Sequence, residues 1–381
     1  MESSKSLYIR ALLVQSYFPH FKIAAQSSCE DVRAMKMGVA SLIRKQVVDC
    51  MDAGTVIRFL SLRASREPGA HRITGSARLM SRPLDEIFFL LNQLGVRNRR
   101  EGSQIIIEGE GWKKPMLPVQ IRRDHSSQFA SSLLLNAWNL PFPLIFHMSG
   151  STISESYWEM SLRLASQLGM TVEKRPDQWI VPAEQKIKLD SCEVEPDYSS
   201  MFAVAAAASL FGRAEFLGVG TSSLQPDFAF FEILQKMGVK VSGQAPRIRI
   251  EQGAKIRAAQ VPLANAADLF PVLSVLCAFA EGTSKLVGAP QLIYKESNRL
   301  AKTRELLKLA GCQVRKLEHG MEIDGNGMDW VPKIFQFDPD EDHRMAMAAG
   351  LLQLRQKQIQ ILKPEVVNKS FPKFWEILRG S

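Results

Sequence analysis

The sequence predicts a mixed α/β protein, α+β in some schemes, of two domains built from one recurring unit. Three observations lead there. The chain is 381 residues long with 46% hydrophobic and 23% charged residues, enough for two separately packed cores. One pattern, an amphipathic helix ending in glycine and then two short strands, recurs four times. The strands come in hairpins rather than in strict strand–helix alternation, which argues against a doubly wound nucleotide-binding sheet.

The four copies are LLNQLGVRNRREGSQIIIEG around Gly95, LASQLGMTVEKRPDQWIVP around Gly169, ILQKMGVKVSGQAPRIRIEQG around Gly238 and LLKLAGCQVRKLEHGMEIDG around Gly311. Their glycines are spaced 74, 69 and 73 residues apart. Each glycine stands where a helix needs a left-handed C-terminal cap, and the hydrophobic period then changes from helical to two. A weaker copy, DVRAMKMGVASLI, is expected to end a helix at Gly38. The spacing is too long for a solenoid of single hairpins.

The remaining elements follow from their openings. SSKSLYIRALL predicts a helix starting at Ser3 or Ser4, with Ser6 and Arg10 on one face. DAGTVIRFL predicts one opening at Asp52, and SRPLDEIFFLL one with Pro83 in its first turn, just after Arg82. Further helices are expected from His125, Ser154, Asp197, Asp268, Lys295 and Asp342. Ser and Asp suit these places because they cap free backbone N–H groups. Cations do not, since the helix dipole disfavours positive charge in a first turn. Lys5, Lys295, Arg299 and Arg344 nevertheless stand in or beside first turns. That placement implies an anionic ligand receiving both N–H groups and cationic side chains.

Composition narrows the ligand. The net charge of +9 favours an anionic partner. No nucleic-acid-binding module or aromatic platform is present, and the runs Arg97–Arg100 and Arg122–Arg123 read as solvated strand edges. Small phosphorylated metabolites remain. The five cysteines are scattered with no CxxC, and the six histidines lack HxxxH or HExxH spacing, so neither a disulfide framework nor a metal site is expected. No apolar run has the length of a membrane helix, and the N-terminus does not read as a signal peptide. A cytoplasmic protein is expected, with no nucleic-acid or membrane partner.

Nine segments, in order, resemble the enolpyruvyl transferases that act on shikimate 3-phosphate: SKSLYIRALL, DAGTVIRFL, GSARLMSRPLDEI, SSQFASSLLL, SESYWEMSL, ADLFPVLSVLCAFAEGTS, KESNRL, DHRMAM and NKSFPKFWEIL. The resemblance runs from Ser4 to the C-terminus. It implies a fold of two similar domains, residues 1–194 and 195–381, each of three βαβαββ units with helix N-termini facing the cleft between the domains. It also implies a monomer needing no cofactor. By matching position, Ser6, Arg10, Ser126, Ser127, Gln128, Ser154, Asp268, Gln291 and Lys295 would hold shikimate 3-phosphate. Lys5, Gly54, Arg82, Gln128, Arg299, Arg344 and Lys369 would surround phosphoenolpyruvate. Lys5, Asp268 and Glu296 would transfer protons in an addition–elimination reaction.

This chain departs from the family pattern at several points. Met-Glu-Ser-Ser precedes Lys5 in place of a strand ending in Pro-Gly-Ser, which implies either an unpaired edge in the second domain or a start site set too late. Asp52 replaces a usual Asn, Phe59 a usual Pro, and Gln291 stands where Asn is common. The repeat around Gly38 is short. Two alternatives are a transferase using UDP-N-acetylglucosamine and a catalytically silent relative. Against the first, Lys5 is followed by Ser6 rather than Asn, and no cysteine lies between Ile106 and Arg123.

Overall fold

The computed structural model describes residues 1–123, 126–150 and 155–380. It divides into two compact units, Ser4–Val194 and Glu195–Ser381 with Met1–Ser3.

The first unit contains α1 (Lys5–Gln15), β1 (Lys22–Ala24), α2 (Glu30–Ile43), β2 (Val48–Asp49), α3 (Gly54–Ala64), β3 (Gly69–Thr74), α4 (Ala77–Ser81) and α5 (Asp85–Gln93). It continues with β4 (Arg97–Glu101), β5 (Gln104–Gly109), β6 (Val119–Arg122), α6 (Gln128–Leu135), β7 (Leu144–Ser149), α7 (Glu155–Gln167), β8 (Glu173–Lys174), β9 (Trp179–Val181) and β10 (Ser191–Glu193). Two four-stranded sheets, ordered β2-β3-β5-β4 and β6-β7-β9-β8, each join one parallel pair to an antiparallel hairpin. The third sheet is the parallel pair β1–β10, with no hairpin after α2.

Helices α1, α3 and α6 pack on one another and are buried almost all round, as core helices must be. Their C-termini meet. Arg63 of α3 donates to the Ser16 hydroxyl (2.8 Å) and carbonyl (3.1 Å), and Arg66 donates to the carbonyls of Asn136 and Trp138. Cations belong there, at the negative ends of the helix dipoles. The three helices therefore run parallel, and their N-termini gather at the opposite end of the unit.

The second unit contains α8 (Tyr198–Phe211), β11 (Arg213–Leu217), α9 (Phe230–Lys236), β12 (Lys240–Gln244), β13 (Arg247–Glu251), β14 (Gln260–Pro262), α10 (Phe270–Ala278) and β15 (Thr283–Val287). It ends with α11 (Arg299–Leu309), β16 (Val314–Leu317), β17 (Gly320–Asp324), β18 (Gln336–Phe337), α12 (His343–Arg355), β19 (Gln360–Ile361) and α13 (Phe374–Arg379). Its sheets are β11-β13-β12, β14-β15-β17-β16 and the parallel pair β18–β19. Helices α8, α10 and α12 form its apolar centre. Among the described residues β11 lacks the parallel neighbour that β3, β7 and β15 each have. Met1–Ser3 lies instead along the start of this unit, where the Asp197 N–H donates to the Glu2 carbonyl (2.9 Å) and Ser3 bridges Pro196.

The repeat read from sequence is one physical device used four times. Gly95, Gly169, Gly238 and Gly311 have φ of +69°, +104°, +80° and +90°. The residue after each, Val96, Met170, Val239 or Cys312, donates its N–H to a carbonyl five residues back, closing a Schellman cap. A later basic residue then returns: the N–H groups of Lys113, Lys188, Arg257 and Lys333 bond the carbonyl immediately before each glycine. The aliphatic stems of Lys113, Lys188 and Lys333 lie over three of the glycines, where a Cβ would meet them at 2.6–3.1 Å.

Several local expectations need correction. Gly38 ends nothing. It sits inside α2, where a Cβ would lie 2.4 Å from Leu60 Cδ1, so its role is close helix packing. Helix α3 opens at Gly54 after Ala53, because Asp52 accepts a hydrogen bond from the Ser76 hydroxyl (2.8 Å) instead of capping. Arg82 closes α4, and Pro83 lies between α4 and α5 rather than in a first turn. Helix α11 is capped by Asn298, since a 3-10 turn over Pro290–Tyr294 intervenes before it. Arg123 is no solvated edge; it is buried and paired with Glu155. The caps at Ser4, Asp197 and Asp342 form as read. His125 and Ser154 lie outside the described residues.

Candidate active site

In the first unit the candidate residues gather at the N-termini of α1, α3 and α6. Lys5 starts α1 and its ammonium donates to Asp31 Oδ2 (2.9 Å), in the first turn of α2. One turn on, Arg10 is 2% exposed. Its Nε donates to the Ser161 hydroxyl (2.7 Å), its Nη1 to the Ser6 carbonyl (2.8 Å), and its guanidinium stands 5.4 Å from the centroid of the Phe59 ring. No carboxylate pairs with it among the described residues, and burial pushes its pKa down to about 10.

Gly54 begins α3, hard against two guanidinium groups. A Cβ there would lie 2.6 Å from Arg82 Nη1 and 2.9 Å from Arg58 Nη1. Glycine lets these guanidinium groups approach the backbone, and a side chain there would have to displace them. Ser127 precedes α6 and is buried, and the Ser126 hydroxyl accepts from the Gln128 N–H (3.1 Å). The Gln128 amide is held at both ends: Oε1 accepts from Arg58 (2.9 Å) and Nε2 donates to the Thr55 hydroxyl (2.9 Å).

In the second unit the candidates form a buried charge network. Arg299, 1% exposed, opens α11. It donates to Asp342 through Nε (2.8 Å) and Nη2 (3.2 Å), to Asp268 through Nη1 (2.8 Å) and to Glu296 through Nη2 (2.8 Å). Lys295 (3.1 Å) and Arg344 (3.0 Å) also pair with Asp268. Burial alone would raise the Asp268 pKa, but Arg344, Lys295 and Arg299 together outweigh it and hold the carboxyl well below its usual range. For Arg299 burial works downward, yet its three carboxylates keep it above the ordinary arginine value. Gln291 is buried, with Nε2 donating to the Ala264 carbonyl (3.1 Å) and Oε1 without a partner among the described residues. Lys369 is buried at the end of the 3-10 turn Pro364–Lys369.

These contacts correct the electrostatic reading of the sequence. Cations at helix mouths were expected to await an external anion, yet Lys5, Lys295, Arg299 and Arg344 all have protein carboxylates as partners. The physical reason is desolvation. A buried guanidinium without a counter-charge is costly, and the fold supplies carboxylates from neighbouring elements. Arg10, which is not one of those four, has no carboxylate partner among the described residues.

Sequence reasoning missed Asp31, Arg58, Ser161, Asp227 and the counter-ion role of Asp342. Asp342 is wholly buried, caps α12 through the Arg344 N–H (3.0 Å) and accepts from the Ser297 hydroxyl (3.0 Å). Asp227 is 3% exposed and accepts from the Ser199 hydroxyl (2.5 Å). Burial, and then the charge of Asp268, push its pKa up to about 6. Arg58 alone carried a readable signal, four residues after Gly54 on the same helix face.

No cluster of His, Cys, Asp or Glu is placed to hold a metal ion among the described residues, and no helix there is long and apolar enough to cross a membrane.

Known proteins supply the context. Residues 18–378 match the family model of EPSP synthase (3-phosphoshikimate 1-carboxyvinyltransferase). The 3-phosphoshikimate 1-carboxyvinyltransferase of Methanosphaera stadtmanae is 31% identical over 93% of this chain and 87% of the relative. That of Clostridium acetobutylicum is 31% identical over 92% and 81%. Among solved structures, EPSP synthase from Acinetobacter baumannii superposes with a TM-score of 0.78 at 22% identity, covering 100% of this chain and 94% of that one. The enolpyruvyl transferase NikO of Streptomyces tendae gives 0.71 at 14% identity, covering 100% and 93%, which shows a shared fold. With the repeat, the helix openings and nearly the whole length in agreement, the chain belongs to the EPSP synthase family.

Proposed function

We propose that this protein transfers the enolpyruvyl group of phosphoenolpyruvate to the 5-hydroxyl of shikimate 3-phosphate and releases phosphate. The structural observation that carries the reading is Arg10. It is a buried cation bonded, among the described residues, only to neutral groups, the Ser6 carbonyl and the Ser161 hydroxyl. Such a charge is retained where an incoming anion completes it. We assign it to the carboxylate of shikimate 3-phosphate, with Ser6, Ser126, Ser127, Gln128, Ser154, Gln291 and Lys295 as further contacts. Hydroxyls and backbone N–H groups at the α6 N-terminus suit the phosphate. Lys5, Gly54, Arg82, Gln128, Arg299, Arg344 and Lys369 are assigned to phosphoenolpyruvate.

The reaction proceeds in two steps. The 5-hydroxyl oxygen bonds to the central carbon of phosphoenolpyruvate as its own proton leaves and the methylene carbon gains one. The tetrahedral intermediate then loses a methyl proton and expels phosphate, restoring the double bond. Asp268 is assigned to the hydroxyl proton. Three cations keep it ionised, which is the state a base requires. Lys5, with Glu296, is assigned to the methylene proton. Lys5 has Asp31 beside its ammonium, whereas Glu296 already accepts from Arg299. Arg299, bonded to three carboxylates, must release part of that network to reach a substrate. Its first role is to place Asp268 and Glu296.

The family model and the named relatives favour shikimate 3-phosphate over UDP-N-acetylglucosamine as acceptor. The proposal includes a monomer in the cytoplasm. The decisive experiment is a coupled phosphate-release assay. Release with both substrates together and with neither alone is expected. A silent relative would bind without releasing phosphate, and release from phosphoenolpyruvate with UDP-N-acetylglucosamine would reassign the enzyme.

A further inference from the structure

Arg58 has no part in the assignments above, yet it is placed as few charged side chains are. It is the fifth residue of α3 and is 3% exposed. Among the described residues its guanidinium reaches three oxygens: Nη1 donates to the Gly54 carbonyl (3.0 Å) and to Gln128 Oε1 (2.9 Å), and Nη2 donates to the Pro83 carbonyl (3.1 Å). The Phe129 ring lies against it, 5.0 Å from the guanidinium carbon to the ring centroid.

The three acceptors come from three separate elements, the start of α3, the start of α6 and the segment between α4 and α5. Each carries, or adjoins, a residue assigned to phosphoenolpyruvate: Gly54, Gln128, and Arg82 next to Pro83. We propose that Arg58 is a positioning residue that holds these elements of the phosphoenolpyruvate subsite in register. The inference rests on the proposed function in that the subsite is defined by it.

The chemistry favours arginine here. A planar fork with donors fixed in direction reaches three acceptors at set angles, which a lysine ammonium on a flexible stem does not. Occupying Gln128 Oε1 also fixes which way that amide points, since its Nε2 is then left to meet Thr55. The same Nη1 stands where a Gly54 Cβ would press on it, so the small residue and the fork are matched parts.

The test uses the full-length enzyme with Arg58→Gln and Arg58→Lys, in steady-state kinetics with each substrate varied. Arg58→Gln is expected to raise KM for phosphoenolpyruvate at least tenfold, with a several-fold smaller rise in KM for shikimate 3-phosphate, which shares only Gln128 among the residues Arg58 holds. Arg58→Lys is expected to fall between. In a Gln128→Ala background, Arg58→Gln should add less than it does alone, because part of its effect passes through that side chain. Equal changes in both KM values, or none, would overturn the inference while leaving wild-type turnover to support the function. Should wild type show no turnover, the crystal structure of the Arg58→Gln protein still decides. The Gln128 amide and the Pro83 segment are expected to move, and their staying in place refutes the proposal.

Discussion

Removing Asp342 tests the claim that the fold itself neutralises the cations of the second unit. Its carboxylate accepts from Arg299 twice, from Ser297 and from the Arg344 N–H, and it is completely buried. Deleting one partner of a buried ion pair costs about 3–5 kcal/mol, because the other charge is left uncompensated. Arg299 would retain Asp268 and Glu296, which argues for the lower end, about 3 kcal/mol. Losing the α12 cap adds about 1 kcal/mol. Asp342→Ala should therefore destabilise the second unit by about 4 kcal/mol, and Asp342→Asn, which keeps a cap acceptor, by about 3. For a domain of this size that corresponds to a fall in Tm of roughly 8–16 °C for the alanine variant. Calorimetry on the full chain measures it, with the first unit's transition as internal control if the two resolve. Removing the cation as well, in Asp342→Leu with Arg299→Met, should cost less than the sum of the single changes. A Tm for Asp342→Ala within about 2 °C of wild type would show that Arg299 does not depend on this carboxylate.

Further consequences follow from other sites. Asp227, with its pKa raised to about 6 against 3.8 for the ordinary group, stabilises the fold only while protonated. That contribution is present below about pH 4 and lost as pH rises through about 6, at most about 3 kcal/mol. The stability of Asp227→Asn relative to wild type should rise over that window, and a flat difference in denaturant midpoints refutes the assignment. Phe59→Leu removes the ring beside the Arg10 guanidinium and should cost about 0.5–2 kcal/mol in binding of shikimate 3-phosphate, read by calorimetric titration. Gly169→Ala forces an unfavourable φ of +104° and presses on Lys188. It should lower stability by about 1–2 kcal/mol or more, seen as a fall in the Tm of the first unit.

The elements set by neighbours in sequence were legible. The four glycine caps are local, because a helix stop, a left-handed residue and a change of hydrophobic period all fall within a dozen positions. The N-caps at Ser4, Asp197 and Asp342 are local for the same reason. Expectation failed where a side chain had a distant alternative. Asp52 could cap α3 but bonds Ser76, brought close by the fold. Lys295 reads as a helix start from sequence because Pro290–Tyr294 gives no signal distinguishing a 3-10 turn from a loop. The ion network was illegible apart from the local Glu296–Arg299 pair, since Asp31, Asp342 and Asp268 lie 26, 43 and 76 residues from Lys5, Arg299 and Arg344.

That failure changes how the charges should be understood. Cations that met only solvent would form an open anion trap, with affinity falling steeply as salt rises. Cations already paired with buried carboxylates are screened far less, and under the proposed assignments a substrate competes with Asp31, Asp268, Glu296 and Asp342 for them. Binding then becomes an exchange of one carboxylate or phosphate for another. Its net free energy is smaller than the number of contacts suggests, but each exchange also frees a protein carboxylate at the site. Asp268 is the group for which this matters. Every bond that Arg344, Lys295 or Arg299 transfers to a substrate anion weakens the hold on its charge, and so raises its basicity. With Asp268 as the proposed base, the pairing that neutralises these cations becomes the means by which substrate binding prepares it.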